Sequence, residues 1–370
     1  MVASKAITEA DVRSALAAVE DPELHRPITE LDMVRGVLVR GDEVRVSIAL
    51  TVPGCPLKAE IHADVAKTIT SLGAGRVLVD FTAMTDEERS ALRQRLHGGA
   101  PSSIGEVFSS ARIIAVASGK GGVGKSSVST NLAVALARRG KRTAIIDADV
   151  YGFSVPRMIG IDRKPVIIDR MIVPPEAHRV AVISIGFFAA ESNPVIWRGP
   201  MLHKALTQFV TDVYWNKREI VIIDMPPGTG DVSLTMAQFL PATEIVVVTT
   251  PQAAAQRVAQ RAAYMARKVN LRVSGVIENM SWFTGNDGVR YEIFGAGGGH
   301  LLAQELDVPL LGQIPLLPAL REGGDAGDPI VAADPDSEAA RAIDAIAGRI
   351  LATGSRRIEL PVLNLQARPG

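Results

Sequence analysis

Residues 112–127 read R-I-I-A-V-A-S-G-K-G-G-V-G-K-S-S, and the fold of this chain is decided there. Residues 113–117 are a short Ile, Val and Ala run, which reads as a buried parallel strand. After Ser127, residues Leu132, Ala133, Leu136 and Ala137 recur at helical spacing. A strand therefore feeds a glycine-rich loop that opens a helix, the setting in which G-x-x-x-x-G-K-[ST] cradles phosphate. Gly119, Gly121, Gly122 and Gly124 let the backbone through Val123 turn tightly, with N–H groups directed at phosphate oxygens. The helix N-terminus adds partial positive charge at the same place. Lys125 brings a full charge to the outer phosphates, and the Ser126 hydroxyl, followed by Ser127, is placed to ligate Mg²⁺.

Working outward, Val/Ile-rich strands are expected at 143–146, 180–185, 220–223, 245–249, 274–278 and 309–314. Helices are expected near 128–139, 201–211, 232–238, 253–268, 301–306 and 337–351. Alternation of this kind predicts an α/β fold, a P-loop NTPase whose mostly parallel sheet is covered by helices on both faces. The chain has 370 residues, too many for one ordinary core, so a second domain is expected. It lies at the N-terminus. Thr8-Glu9-Ala10-Asp11 is a capping-box pattern, and Val12, Leu16 and Val19 continue an apolar helix face. Strands at 34–39, 43–50 and 76–81, helices at 58–71 and 86–96, and a tight turn at Gly41-Asp42 complete a small α/β unit. The expected domains are 1–97, a Gly/Ser/Pro-rich linker 98–110, the ATPase domain 111–352, and a tail 353–370 without helical pattern.

Lys+Arg and Asp+Glu each number 40, so the chain is neutral and shows no basic excess for nucleic acid. No apolar run approaches the roughly 18 residues that cross a bilayer, and residues 1–9 have no signal core. A cytoplasmic protein with no membrane and no nucleic-acid partner is the expectation. Cys55 is the single cysteine, which excludes an internal disulfide and any cluster held by several thiolates of one chain.

Acids at two strand ends complete the chemistry. Residues 220–223 are apolar and end in Asp224, which is expected to hold Mg²⁺ opposite Ser126. The strand at 143–146 ends in Asp147-Ala148-Asp149, at the carboxyl edge where ligands bind in such sheets. Asp231, after Met225-Pro226-Pro227-Gly228-Thr229-Gly230, is either a helix N-cap or a catalytic group. Asp21 and Glu23 are either a helix stop or part of a metal site, with the stop preferred.

Lys120 within the loop makes K-G-G-x-G-K-[ST], which resembles the deviant Walker A motif. That family holds nitrogenase iron protein, the MinD-type and ParA-type positioning ATPases, and Mrp-type iron–sulfur carriers. The resemblance implies that Lys120 reaches the partner's nucleotide in a homodimer. It also assigns Asp149 to the first switch, orienting water or Mg²⁺, and Asn279 to the adenine edge, which favours ATP. The segments D-A-D-V-Y-G, W-R-G-P-M, I-I-D-M-P-P-G-T-G-D, E-N-M-S-W-F and I-F-G-A-G-G-G follow the same pattern. Together with T-x-P-G-C-P-L in the first domain, they identify the chain as similar to Mrp-type (ApbC) iron–sulfur cluster carriers. Cys55 sits where that family has one reactive cysteine, near a helix start that would favour thiolate; the alternative is a small buried residue in a turn. One departure is plain. The family carries C-x-x-C after M-S-[YW]-F, whereas here the stretch is Met280-Ser281-Trp282-Phe283-Thr284-Gly285-Asn286-Asp287-Gly288-Val289-Arg290-Tyr291. Asn-Asp-Gly reads as the turn of a hairpin instead, and His300 nearby reads as a surface residue.

The implied function is an ATP-hydrolysing homodimer that delivers iron–sulfur clusters to client or assembly proteins. The alternatives are a MinD- or ParA-like positioning ATPase and a client-maturation ATPase that has lost cluster binding. Neutral charge and Pro361, which interrupts any basic amphipathic helix in the tail, argue against the positioning reading.

Overall fold

The chain divides into two compact units: Met1–Val107 with Arg163–Glu176 and Gln208–Asn216, and Phe108–Asp162 with Ala177–Thr207 and Lys217–Gly370. The structure, a computed structural model, describes residues 7–52, 54–97, 108, 111–150, 152–188, 199–228 and 240–354. Expectations at Pro53, most of the linker, Tyr151, Trp197-Arg198, residues 229–231 with Asp231, the 232–238 helix and the tail beyond 354 lie outside the described residues.

In the first unit, helix α1 (Glu9–Leu16) begins in a reciprocal cap: Asp11 N–H donates to Thr8 Oγ1, and Thr8 N–H donates to the Asp11 carboxylate. Its Val12 and Leu16 are buried. Strands β1 (Val34–Arg40) and β2 (Glu43–Leu50) pair antiparallel around Gly41, whose φ of 63° is the left-handed geometry a tight hairpin needs. Helix α2 (Lys58–Ser71) then returns the chain so that β3 (Arg76–Ala83) lies parallel to β2. Helix α3 (Asp86–His97) closes the run. The helix stop expected at Asp21 lies elsewhere, because α1 ends at Leu16 with Ala17 as its C-cap. Asp21 Oδ1 instead accepts the N–H groups of Glu23 and Leu24 in a turn.

The division differs from the expected boundaries in that residues 163–176 and 208–216 fall with the first unit. The antiparallel pair Val166–Ile168 and Met171–Val173 buries Val166, Ile168, Met171 and Val173, with Tyr214, in the first unit's core. Three-residue strands carry too little periodicity to be read in sequence, and their apolar faces are covered only by residues distant in the chain.

The second unit is an eight-stranded sheet. Its labelled strands are β4 (Arg112–Ser118), β5 (Thr143–Asp147), β6 (Val180–Ser184), β7 (Ile220–Asp224), β8 (Glu244–Thr249), β9 (Arg272–Asn279) and β10 (Leu310–Ile314). Their order is β6-β5-β7-β4-β8-β9-β10, every pairing among them parallel, with Glu176–Ala177 at the β6 edge. Strands β5, β6, β7 and β8 are buried at every position, as a sheet covered on both faces requires. The covering helices include α4 (Lys125–Arg138), α6 (Ala253–Lys268), α7 (Gly298–Glu305) and α8 (Glu338–Ala352), while α5 (Gly199–Thr211) follows β6 in the chain. From β4 the chain builds towards β6, returns through β7, and then builds the other way through β8. The carboxyl end of β4 is thus a topological switch point, where open α/β sheets bind ligands. Among the described residues no helix is long and apolar enough to cross a membrane.

Candidate nucleotide site

The loop leaving β4 is shaped by two left-handed glycines, Gly122 (φ 79°) and Gly124 (φ 78°), and Gly124 is also the N-cap of α4. Gly119 is required by close approach: a Cβ there would lie 2.2 Å from the carbonyl carbon of Val258 in α6. Helix α4 is buried along most of its length, its Ser129, Thr130 and Asn131 included, with Leu132 and Leu136 fully buried. It therefore pins its first turn beneath the sheet's carboxyl edge.

Parallel register brings the acids to that edge. Asp224 at the end of β7 lies opposite Asp147 at the end of β5 and Val116 of β4. Lys125 Nζ lies 2.7 Å from Asp224 Oδ2, 3.2 Å from Ser126 Oγ and 3.9 Å from Asp149 Oδ2. The Ser126 hydroxyl donates to the same Asp224 oxygen at 2.6 Å. Sequence reasoning expects these four residues at the phosphate and metal, and the fold sets the other three around Lys125.

Asp147 has a different part. Its Oδ1 accepts the Asp149 N–H, and its Oδ2 accepts the N–H groups of Ser154 and Val155 and the Ser184 hydroxyl. It is a buried staple for the loop that carries Asp149. Burial, then the Asp224 charge, pushes its carboxyl up to about 7, against the hydrogen bonds it accepts. Asp149 and Asp224 are both buried and face a single buried ammonium, Lys125. The Ser126 hydroxyl and the Asp224 carboxylate, 2.6 Å apart, are hard oxygen donors of the kind Mg²⁺ takes.

Three contacts were not read from sequence. Ser129 donates to Asp224 Oδ1 at 2.6 Å; it lies four residues after Lys125, on the same helix face, so the spacing did contain the signal. Ser184 reaches Asp147 only because β6 pairs with β5, a sheet order no local pattern reveals. Gln252, just before α6, accepts a hydrogen bond from Lys120 Nζ at 3.2 Å. The single chain thus holds Lys120 on its own Gln252. Asn279, expected at the adenine edge, lies at the end of β9 with its Nδ2 donating to Val123 O at 2.9 Å.

Cys55 belongs to the first unit and is buried there. The expectation of a lowered thiol pKa is overturned. Burial pushes the thiol up, as do the neighbouring Glu23 and Asp21 charges, while the Leu57 backbone N–H and Arg163 only partly offset them. The reason is positional: Leu57 is the N-cap of α2, so Cys55 lies outside the first turn where the dipole acts. Among the described residues no three His, Cys, Asp or Glu side chains group to hold a metal ion.

The 282–291 stretch is the expected hairpin, with Phe283 paired to Tyr291 and Thr284 to Arg290. Its anchor is Glu338 at the start of α8, which accepts from Trp282 Nε1 at 3.1 Å, Thr284 Oγ1 at 2.9 Å and Arg290 at 2.8 Å. Arg290 also lies 4.3 Å above the Trp282 ring. His300 is exposed.

Comparison with known proteins gives a consistent picture. A profile described as "NUBPL iron-transfer P-loop NTPase" matches residues 109–351, and one described as "Iron-sulfur cluster assembly protein" matches residues 9–79. An "Iron-sulfur cluster carrier protein" of Mycobacterium tuberculosis (strain ATCC 25618 / H37Rv) is 48% identical over 349 residues, 91% of this chain and 92% of that protein. A protein of the same description from Synechocystis sp. is 41% identical, covering 93% of this chain and 97% of its own length. Among solved structures, a nucleotide-binding protein of Archaeoglobus fulgidus in complex with ADP is 32% identical with a TM-score of 0.56, covering 64% of this chain and 93% of that one. The cell division ATPase MinD of Pyrococcus furiosus shares the fold at 24% identity and a TM-score of 0.52, covering 66% of this chain and 99% of that one.

Proposed function

The chain belongs to the family of NUBPL iron-transfer P-loop NTPases, and from that premise we propose that it is an ATP-hydrolysing homodimer carrying iron–sulfur clusters to apoproteins. The observation that carries the nucleotide part is the convergence of Lys125, Ser126 and Asp224 beside the Gly119–Gly124 loop, at the sheet's switch point. The loop amides and Lys125 hold the β- and γ-phosphates. Ser126 and Asp224 would hold Mg²⁺, which supplies charge neutralisation at the phosphates. Asp149, fixed through its own N–H by Asp147, orients the attacking water. Phosphoryl transfer depends mainly on placement and charge, so a carboxylate that positions water without strongly basic character suffices.

Lys120 leaves Gln252 to meet the partner's nucleotide, and ATP then favours the closed dimer because that contact exists only there. The cluster is cargo. Cys55 is the chain's one thiol, so two protomers offer two thiolates and the client or assembly protein supplies the others. The relatives described as iron–sulfur cluster carriers support this reading. The hairpin at 282–291, which offers no soft ligand, favours a second one: a client-maturation ATPase without bound iron.

Anaerobic reconstitution with iron and sulfide, iron counting per dimer and transfer to an apoprotein decide between them. Iron bound by wild type, lost in Cys55→Ser and delivered on ATP turnover is the expected result. Absence of iron from both proteins leaves the ATPase and removes the carrier.

A further inference from the structure

We infer that Asn279 is a positioning residue for the phosphate loop, acting on the peptide between Val123 and Gly124. This rests on the nucleotide-site reading above and goes beyond the adenine contact that resemblance assigns to the same residue. The bond is between the end of β9 and the loop: Nδ2 of Asn279 donates to the carbonyl oxygen of Val123 at 2.9 Å, and both residues are buried. Amide orientation is forced, because a carbonyl oxygen only accepts and an Asn turned the other way would set oxygen against oxygen. In a trans peptide the C=O and the following N–H point in opposite directions. Holding the Val123 oxygen therefore aims the Gly124 N–H, at the N-cap of α4 where phosphate binds.

The glycine and the asparagine are matched. Gly124 has a φ of 78°, and a Cβ there would lie 2.3 Å from Asn279 Nδ2, so the brace can approach only a glycine. Strand β9 holds the other end: Asn279 is paired in register with Ile314 of β10, and the brace is thus rooted in the sheet. The remaining amide oxygen, Oδ1, is buried and has no hydrogen-bond partner among the described residues. It is an acceptor still available to a donor such as an exocyclic amine. The two atoms separate two functions, loop bracing through Nδ2 and base contact through Oδ1.

A ligand without a base isolates the first. Binding of inorganic tripolyphosphate, ATP and GTP is measured by calorimetry for wild type, Asn279→Ala and the volume-matched Asn279→Leu, with thermal unfolding of each apo protein. Loss of the brace is expected to weaken tripolyphosphate and GTP about tenfold, the worth of one buried hydrogen bond, in whichever variant retains the wild-type transition. Hydrogen exchange in the 119–127 segment should rise in parallel. Unchanged tripolyphosphate affinity, with or without a loss confined to ATP, would overturn the brace and leave a base-reading residue alone. Wild-type protein that binds neither ATP nor tripolyphosphate would remove the nucleotide reading and the brace with it.

Discussion

Replacing Asp147 by asparagine should change the pH dependence of stability by an amount the structure sets. In the metal-free protein the Asp147 carboxyl is raised from 3.8 to about 7, first by burial and next by the Asp224 charge. Below 3.8 the group is protonated in both folded and unfolded chains and contributes no pH dependence. As pH rises from there, the unfolded chain ionises first, so the folded state loses stability until pH passes about 7. A carboxyl displaced that far costs the folded state about 4 kcal/mol once both forms are ionised. Asparagine has no such titration. It can accept through only one oxygen, so with that oxygen set on Ser154, Val155 and Ser184 it forfeits the bond from the Asp149 N–H at every pH, a constant cost of about 1–3 kcal/mol. The stability difference between Asp147→Asn and wild-type protein should therefore move by about 4 kcal/mol in the variant's favour between about pH 4 and pH 8. Urea unfolding in EDTA, followed by hydrogen exchange in peptides from β5 and α4 with intrinsic rates corrected at each pH, gives that difference for the second unit. A difference that stays flat across this range would refute the reasoning and place Asp147 as a carboxylate ionised throughout.

Lys120→Ala should leave ATP binding by the single chain within about threefold of wild type, while ATP-driven dimerisation and hydrolysis are lost; sedimentation with ATP and phosphate release check this, and wild-type turnover would return Lys120 to the surface lysines. Glu244→Ala should destabilise the second unit by about 1–2 kcal/mol, because the half-buried Arg112 loses the carboxylate that now pairs with it at 2.9 Å and keeps only Ile350 O and Thr353 Oγ1. A urea midpoint within error of wild type would contradict that.

Much of this was legible because the decisive signals are local. The run at 113–117, the loop glycines and the helical spacing of Leu132 and Leu136 specify strand, loop and helix within one short stretch. Asp224 was readable because a carboxylate closing a buried apolar strand is rare unless a cation or metal pairs with it there. What escaped reading depends on which strands become neighbours. Ser184 is one more serine until β6 pairs beside β5, and Asn279 meets Val123 across 156 residues of chain. Of the two readings open at Cys55 the structure has the small buried residue, and only the lowered thiol pKa fails: proximity to a helix start in sequence did not place it within the helix's first turn, and its burial beside two acids dominates. The hairpin at 282–291 was recoverable from Asn286-Asp287-Gly288, since Gly288 takes a φ of 76°. Its anchor, Glu338, was not, being 48 residues beyond Arg290.

The central claim is that the loop around Lys125 is a nucleotide site, and titration of ATP with Mg²⁺ into wild type and Lys125→Ala tests it most directly. Lys125 is the one buried cation facing Asp149 and Asp224 among the described residues, so its removal should cost about a hundredfold in affinity, the upper range for charge-assisted hydrogen bonds. Saturable binding by wild type, with a loss of about a hundredfold in a variant that still unfolds cooperatively, is the expected result. Equal ATP affinity in the two proteins would contradict the account.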